Sequence, residues 1–425
     1  MPLIPRAYRP LLADRTFRRL IAGFAVSYLG DGMSAVAVAW LAIELAPHST
    51  AGIWVGASVA GYALPGVVGA LTLGRWLRRF PARSLLVIDS ATRAVFLGLV
   101  PAIWVTGALT PGTYVVLLAC SSLLHAWGSA GRYTLLAELV PAERRLAANT
   151  AVGTLEYAAI IAGPAVAGLL VTVVDAAVVI GIDAATFVVL ALVAGLLRLP
   201  ERGAGTAESV DAASSAKGLR MLTRYPALLG LIGLTWLFNF LYGPVEVALP
   251  LHVTRDLDAG SDVLGLYWTI FGVGAMAGSL AAGSLRRLPL WPTTLAIVVG
   301  WGLTLLPFWG HVPTAATVVS FGLGGMIYGP FVALSITLVQ GASPPEYLST
   351  VLAARGAALL TASPLGTALG GPVTTALGPS ATLGSSGLAT IALGVLATAL
   401  VLAAAHRGKN AAQAILRLAE ARGPD

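Results

Sequence analysis

Three acidic residues lie inside long apolar stretches of this 425-residue sequence: Asp31 in the first stretch, Glu156 in the fifth and Glu246 in the seventh. If those stretches cross a membrane, a central charge costs at least about 2.5 kcal/mol, so such residues usually face a cavity or a partner. A carboxyl group there can hold a proton or bind a cation, and the two states exclude each other. We therefore predict that these residues exchange protons against a positively charged substrate. The alternative is a carboxyl group that bonds a neighbouring helix for structural reasons, which we favour for Asp183.

Deep aromatic residues in the same stretches could line a cavity, because ring faces attract lipophilic and cationic molecules. The candidates, together with one nearby amide, are Trp40, Tyr157, Trp236, Asn239, Tyr242, Trp268, Trp301 and Tyr328. His125 is as compatible with a satisfied interior histidine as with a ligand-binding one.

Two further patterns could control access to such a cavity. Asp89 and Arg93 stand four residues apart on one helix face, which favours an ion pair of mainly structural role. Three Gly-Pro steps, Gly163-Pro164, Gly243-Pro244 and Gly329-Pro330, place a proline inside an apolar stretch, where it removes a helical hydrogen bond and bends the helix. Helices that bend in this way can open a cavity alternately to two sides.

The composition indicates the elements that must position these residues. Hydrophobic residues make up 57% of the chain and charged residues 11%, and the mean hydropathy is +0.84. A soluble domain typically has about 25% charged residues. Apolar runs of roughly 20 residues follow one another, and each can cross the hydrocarbon core of a membrane as a helix.

We predict twelve membrane spans. Their approximate positions are 20–46, 52–74, 84–107, 112–137, 149–172, 177–198, 227–252, 263–284, 292–310, 314–340, 350–376 and 383–405. The fold expected is an all-α polytopic membrane protein with two pseudo-symmetric six-helix bundles, residues 1–198 and 227–405. A polar, Gly-, Ala- and Ser-rich cytoplasmic linker, 199–226, joins them, and a cytoplasmic tail, 406–425, follows.

The basic residues predict the orientation. Of the 26 Lys and Arg residues, all but Arg93, within a span, and Arg255, on the opposite side, fall on the face that holds both predicted termini. By the positive-inside rule that face is cytoplasmic. The N-terminal segment lacks a short apolar core that ends in a cleavage site, so we do not expect a removable signal peptide. We expect a multi-pass protein of the bacterial cytoplasmic membrane.

A basic phrase occurs twice, as GRWLRRFPARS at 74–84 and GSLRRLPLWPT at 283–293. Each copy follows the second span of its half, which favours two halves related by an internal repeat, with a substrate site between them. The alternative is that basic cytoplasmic hairpins simply look alike. We assign a gating role to the hairpin residues Gly74, Arg78, Arg79, Arg286 and Arg287, together with Asp89, Arg93, Gly163 and Pro164.

Several other classes of site are not indicated. The two lysines, Lys217 and Lys409, stand in no phosphate-binding loop, so direct use of ATP is not expected. The five histidines show no metal-ligand spacing, and the lone Cys120 can form no internal disulfide. We expect no enzyme activity, metal, cofactor or nucleic-acid partner. The expected partners are a small-molecule substrate, protons and the lipid bilayer, and the chain is expected to be a monomer because it holds both halves.

Particular segments carry a family resemblance. Gly30-Asp31-Gly32-Met33, LVPAERRLAANTAVGTLEYAAIIAGPAVAGLL at 139–170 and YGPVEVALPLHV at 242–253 resemble the major facilitator superfamily, in its twelve-helix drug-exporter branch. That branch includes macrolide pumps, the enterobactin exporter and Tap-type tetracycline and aminoglycoside efflux pumps, and the resemblance is strongest to the Tap-type group. It implies proton-coupled antiport by alternating access.

Two positions depart from the family pattern. Arg78 stands where the family hairpin has an aspartate, so another acid such as Asp89 or Glu143 would have to substitute for it. The family's arginine in the fourth span is absent near Leu124 and His125.

The leading hypothesis is a proton-driven exporter of lipophilic or cationic small molecules such as antibiotics. A dedicated exporter of one metabolite or siderophore, a metal exporter, and a transporter-shaped receptor or scaffold are the alternatives.

Overall fold

The computed structural model describes residues 9–77, 79–197, 225–281, 289–310, 312–343 and 347–421. All regular structure within these ranges is helical. The helices that correspond to the predicted spans, numbered in chain order, are span 1 Arg15–Leu45, span 2 Ala51–Thr72, span 3 Ala82–Val105, span 4 Pro111–Ser122 with His125–Leu139, span 5 Arg145–Leu170, span 6 Ala176–Leu196, span 7 Pro226–Arg255, span 8 Ser261–Ala281, span 9 Leu290–Leu305, span 10 Thr314–Tyr328 with Phe331–Ala342, span 11 Leu348–Leu377 and span 12 Pro379–Ala421.

Among the described residues, eleven of these helical stretches are long and apolar enough to cross a membrane. The remaining helix is span 11, 30 residues long, which packs between spans 2 and 7. Its many Gly, Ser and Thr residues lower its hydropathy, and two of these hydroxyls serve the site described below. The prediction of an all-α polytopic membrane fold is confirmed.

Local sequence signals explain where several helices begin and end. The Asp14 carboxylate accepts hydrogen bonds from the backbone N–H groups of Thr16, at 2.7 Å, and Phe17, and so caps span 1. Gly378 has a φ of +86° and separates span 11 from span 12, a conformation that favours glycine.

The Gly-Pro steps behave differently from one another. Span 5 is helical through Gly163-Pro164 and span 7 through Gly243-Pro244. Only Gly329-Pro330 separates two helices, in span 10. Span 4 is divided at Leu123-Leu124, which contains neither glycine nor proline and was not predicted. Gly163 and Gly243, at the two steps that stay helical, permit close packing, because a side chain at either position would overlap the facing helix.

Helix packing repeats between the two halves. Span 1 packs against spans 5 and 6, and span 7 packs in the same way against spans 11 and 12. Gly32 of span 1 meets Gly163 of span 5 backbone to backbone, and Gly243 of span 7 meets Gly366 of span 11. Small residues allow such close approach in membranes, where packing rather than water exclusion drives helix association.

The two halves contact each other mainly toward one face of the molecule, here called the far face, which holds the connections 46–50, 171–175 and 256–260. Gly52 and Gly56 of span 2 lie against Gly371 of span 11, and Gly168 of span 5 lies against Gly265 of span 8. Hydrogen bonds also join the halves there. Ser261 Oγ donates to the Gly168 carbonyl at 3.0 Å, and Arg255 Nη2 donates to the His48 carbonyl at 2.5 Å.

The halves are apart toward the opposite face, here called the terminal face, where span 1 begins and span 6 ends. Tyr157 and Gly153 lie on the same side of span 5 as Gly168, in helical register. Tyr157 is 66% exposed, and a side chain added at Gly153 would meet no atom within 4 Å. A side chain added at Gly356 in span 11 would likewise meet no atom within 4 Å. The space between the halves is therefore wider on this face.

Part of the predicted gating set and the linker fall outside the description. Gly74 begins a short helix, Gly74–Leu77, and Arg79 is exposed just after it. Arg78, Arg286 and Arg287 lie outside the described residues, as does residue range 199–224 of the linker. The domain boundaries around the linker therefore remain a prediction.

Candidate binding cavity between the two halves

A cavity of about 850 Å³ lies between the halves. Spans 1 to 5 form one wall, and spans 7, 8 and 11 form the other. The three carboxylic acids singled out in the sequence, Asp31, Glu156 and Glu246, all line it. Its remaining polar and aromatic lining includes Tyr28, Tyr62, Arg93, His125, Arg132, Tyr133, Tyr242, Trp268 and Phe271. The fold thus brings together three acids of which the first and the last, Asp31 and Glu246, are far apart in the sequence.

Asp31 of span 1 forms an ion pair with Arg93 of span 3. Arg93 Nη1 lies 2.8 Å from Asp31 Oδ1, and the hydroxyl of Tyr62 donates to the same oxygen at 3.0 Å. Arg93 is 2% exposed, and its guanidinium lies 4.8 Å from the centre of the Phe187 ring. Both residues line the cavity, and the Asp31 side chain, 25% exposed, is the more accessible of the two.

The geometry of this pair changes the interpretation of Arg93 and of Asp31. Arg93 Nε is 3.9 Å from Asp89 Oδ1, so the predicted pair within span 3 is the weaker of the two contacts. No basic residue stands at helical spacing from Asp31 in its own span. The actual partner comes from a different helix, and spacing along one helix cannot reveal such a contact.

Arg93 also makes contact with span 4. Its Nη2 lies 2.8 Å from His125 Nδ1. A guanidinium can only donate, so His125 Nδ1 accepts this hydrogen bond and its ring is neutral. The family's arginine is absent from span 4 near His125, and Arg93 of span 3 supplies a cation beside that position.

Asp183 of span 6 belongs to the same network, although the sequence favoured a purely structural role. It is fully buried, and Ser34 Oγ donates to its Oδ2 at 2.5 Å. The Tyr62 hydroxyl lies 3.5 Å from that oxygen, between Asp183 and Asp31. Tyr62 itself was missed, since nothing distinguishes one tyrosine in an apolar span from another.

Glu246 of span 7 has hydroxyl partners from span 11. Thr367 Oγ1 donates to its Oε2 at 2.7 Å, and Ser363 Oγ does so at 3.2 Å. No cation lies within ion-pair distance of Glu246 among the described residues. The Gly243–Gly366 contact, one helical turn away, sets the close approach of the two spans that makes these hydrogen bonds possible.

Glu156 of span 5 lines the cavity without a hydrogen bond or ion pair to any described side chain. Arg132 also lines it, 6% exposed, with its guanidinium 4.6 Å from the centre of the Tyr28 ring. We had counted Arg132 with the basic residues of a surface connection, and that placement is wrong. It lies within the helix His125–Leu139, inside the predicted span 112–137 and not in the connection that follows it.

The predicted aromatic lining is found only in part. Tyr242 and Trp268 line the cavity. Tyr328 packs at 6.0 Å from the Tyr242 ring and lies within 3.5 Å of Asn239 Oδ1, both behind the cavity wall. The Trp236 indole donates to Thr361 Oγ1 at 3.1 Å. Trp40, Tyr157, Trp236, Asn239, Trp301 and Tyr328 are not among the lining residues.

Two helical halves with a carboxylate-bearing cavity between them are typical of membrane transporters. Residues 20–247 match the sequence model of the Major Facilitator Superfamily, and the chain belongs to this family.

Relatives of this chain include transporters named for drug efflux. An uncharacterised MFS-type transporter of Sinorhizobium fredii is 28% identical over 67% of this chain and 71% of its own length. The multidrug efflux pump Tap of Mycobacterium tuberculosis is 27% identical over 80% of this chain and 83% of its own length. Macrolide efflux protein A of Streptococcus pyogenes is 27% identical over 54% of this chain and 58% of its own length.

Solved structures share the fold at low sequence identity. The nucleoside transporter NupG superposes with a TM-score of 0.71 and 14% identity, covering 91% of this chain and 99% of NupG. A bacterial homologue of the iron transporter ferroportin, in an inward-facing state, superposes with a TM-score of 0.66 and 15% identity, covering 90% of this chain and 98% of the homologue.

Proposed function

We propose that this protein is a proton-coupled antiporter that exports lipophilic or cationic small molecules, such as antibiotics, by alternating access. The observation that carries the proposal is the convergence of Asp31, Glu156 and Glu246 on one cavity whose walls are otherwise largely aromatic and aliphatic. The relatives named as a multidrug efflux pump and a macrolide efflux protein support export as the direction.

The cavity suits a drug-sized cation. Its volume lies within the range of about 300 to 1,000 Å³ that small-molecule sites commonly have. Glu156 and Glu246 offer negative charge that no described cation neutralises, and Tyr242 and Trp268 offer ring faces. A lipophilic ligand with a positive group can satisfy both features at once.

The carboxyl groups supply the coupling. A substrate cation beside Glu156 or Glu246 favours the ionised carboxylate, whereas a proton on the same oxygen removes the charge that holds the substrate. Protons that enter from one side therefore displace a cationic substrate. Protonation of Asp31 would in addition weaken its ion pair with Arg93, which joins spans 1 and 3.

Alternating access follows from how the halves touch. They pack closely at the far face and stand apart at the terminal face, so the cavity is accessible from the terminal face in this state. The positive-inside rule makes that face cytoplasmic, with both termini on it. We assign gating to the hairpin residues, to Asp89 and Arg93, and to Gly163 and Pro164, of which Pro164 lines the cavity. One chain carries both halves and acts as a monomer.

The test is transport by the purified full-length protein in proteoliposomes with an imposed pH gradient and a panel of unrelated cationic and neutral drugs. We expect uptake of several cationic compounds, driven by the gradient and abolished by a protonophore. The triple variant Asp31→Asn/Glu156→Gln/Glu246→Gln, as control, should show none. Transport that survives the protonophore would contradict proton coupling, and transport of a single compound would indicate a dedicated exporter.

A further inference from the structure

Asp183 is a buried acid directly behind the cavity residue Asp31. It lies in span 6, is fully buried and does not line the cavity. The segment Gly30-Asp31-Gly32 passes over it, and a side chain at Gly30 would overlap both the Asp183 carboxyl and Thr186. Glycine at position 30 is therefore what allows an acid of span 6 to sit against the backbone next to Asp31.

The hydrogen bonds around Asp183 fit a protonated carboxyl group. Thr186 Oγ1 donates its single hydrogen to the Asp183 main-chain carbonyl, at 2.7 Å. That hydroxyl oxygen also lies 3.3 Å from Asp183 Oδ1, so it is free to accept a proton that Oδ1 carries. Ser34 Oγ donates to the other oxygen, Oδ2. A protonated Asp183 thus satisfies every group in contact, and its hydrogen-bond partners among the described residues are hydroxyl groups rather than cations.

The charges nearby lead to the same state. Three carboxyl groups, those of Asp31, Asp89 and Asp183, surround the buried guanidinium of Arg93. A second buried guanidinium, that of Arg132, is near Asp89, whose carboxyl group packs against Gly128 one helical turn before Arg132. The imidazole of His125, which accepts from Arg93, is neutral and adds no positive charge. Three ionised carboxylates with these two cations would still leave one uncompensated charge in the interior, which is unfavourable. Asp31 has the close ion pair, so a proton resides on another member of the set.

We propose that Asp183 is a second proton-binding site, which exchanges its proton with Asp31 through the hydroxyl of Tyr62. That hydroxyl lies 3.0 Å from Asp31 Oδ1 and 3.5 Å from Asp183 Oδ2. When the carboxyl group turns so that its protonated oxygen faces Tyr62, the Asp183 O–H bond breaks as a bond to the Tyr62 oxygen forms. The original Tyr62 O–H bond breaks as its proton joins Asp31 Oδ1. Tyrosine is unchanged, and one negative charge has moved from Asp31 to Asp183.

The exchange has a structural consequence at Arg93. Once Asp31 is protonated, the 2.8 Å ion pair between spans 1 and 3 loses its anionic partner. The guanidinium already donates a hydrogen bond to the Tyr62 oxygen, at 3.2 Å. The carboxyl group that faces the substrate is then neutral while the compensating charge is held out of the cavity. The transport consequence rests on the proposed function, whereas the protonation state of Asp183 does not.

Infrared spectroscopy of the purified protein in lipid tests the protonation state without any transport. At neutral pH we expect a protonated-carboxyl C=O band that Asp183→Asn removes. The matched control Asp89→Asn, which changes another buried acid beside Arg93, should keep that band. A spectrum in this region that Asp183→Asn leaves unchanged would overturn the proposal. Should Asp183→Asn fail to fold, Tyr62→Phe leaves the acid in place, and the band must then decay more slowly after a jump to alkaline pH. Equal decay would reject the relay.

Proteoliposomes test the coupling. For Asp183→Asn we expect accumulation driven by a pH gradient to fall by at least about tenfold. Substrate affinity measured without a gradient should change much less, because Asp183 does not touch the cavity. A purely structural role would lower both quantities together, and that result would overturn the inference. If the wild-type protein shows no gradient-driven transport, the proposed function fails, while the infrared result still decides the state of Asp183.

Discussion

Arg93 Nη1 and Asp31 Oδ1 lie 2.8 Å apart although the two residues belong to different helices, spans 3 and 1. The guanidinium is buried, while the carboxylate is partly exposed to the cavity. The partners are therefore unequal: a carboxylate left alone could still be hydrated from the cavity, whereas a guanidinium left alone could not. Breaking a buried pair by removing one partner is costly because the remaining charge is uncompensated.

The first prediction concerns the stability of this pair. Asp31→Asn should lower the free energy of unfolding by roughly 3 kcal/mol, since it leaves Arg93 with only the distant Asp89 as an anionic contact. Adding Arg93→Met should restore part of that loss. The measurement is thermal or denaturant unfolding in detergent, with Glu246→Gln as a control that strands no buried cation. A double variant less stable than Asp31→Asn alone would contradict the asymmetry.

The second prediction concerns Glu246 and its hydroxyl partners on span 11. Thr367→Val removes the 2.7 Å hydrogen bond that orients Glu246. Because such a hydrogen bond contributes about 1 to 1.5 kcal/mol, drug export should fall by several fold. Thr367→Ser keeps the hydroxyl and should retain export. Drug accumulation in cells measures both variants at matched expression. Equal export by Thr367→Val and Thr367→Ser would show that the hydroxyl has no part in positioning Glu246.

The third prediction concerns Glu156. Because this carboxyl faces the cavity without a described partner, Glu156→Gln should leave stability nearly unchanged. It should weaken binding of cationic substrates about tenfold, equivalent to ~1.4 kcal/mol, and leave neutral ones unaffected. The control is Glu138→Gln, which changes a carboxyl of span 4 outside the cavity. Ligand binding to the purified variants is the measurement, and an equal loss for neutral compounds would argue against a charge interaction.

The fourth prediction concerns the contact of the halves at the far face. A Cβ at Gly56 would lie 2.9 Å from Gly371 Cα, so Gly56→Leu should force spans 2 and 11 apart and favour the state open to the far face. A thiol introduced by Ala35→Cys in a Cys120→Ser background would report this as faster labelling from outside the cell.

The matched control for that experiment is Gly153→Leu, at a position with no atom within 4 Å of an added Cβ. It should not increase labelling from outside. If both substitutions gave the same labelling rate, the glycine contact at the far face would not determine which side is open.

Much of the fold could be predicted from the sequence, because each span is marked locally by apolar length and by capping or turn residues. The helix bounds differ from the predicted ones by only a few residues except at the end of span 12. The break at Leu123-Leu124 could not be predicted, since these residues are good helix formers and tertiary packing sets the interruption.

Individual residues of the site could be predicted from the sequence, but their contacts with one another could not. Acids in apolar spans attract attention because of their solvation cost, which is a property of the residue and its own helix. The pairing of Asp31 with Arg93, and of Glu246 with Thr367, depends on contacts between helices that lie far apart in the chain. Tyr62 acquires its importance only from its neighbours. Arg132 was counted with the cytoplasmic basic residues although it falls inside the predicted span 112–137, because sequence alone does not show that its side chain turns to a cavity.

The contacts of Gly52 and Gly56 with Gly371 also affect the free-energy difference between the state open to the terminal face and the state open to the far face. Backbone-to-backbone contact between glycines involves no side-chain ion pairs, so separation at that point strands no buried charge. The Arg255 hydrogen bond to His48 is on the surface, where water can replace it. Opening the far face can then cost little enough that one bound ligand or proton, worth a few kcal/mol of differential affinity, decides which state predominates.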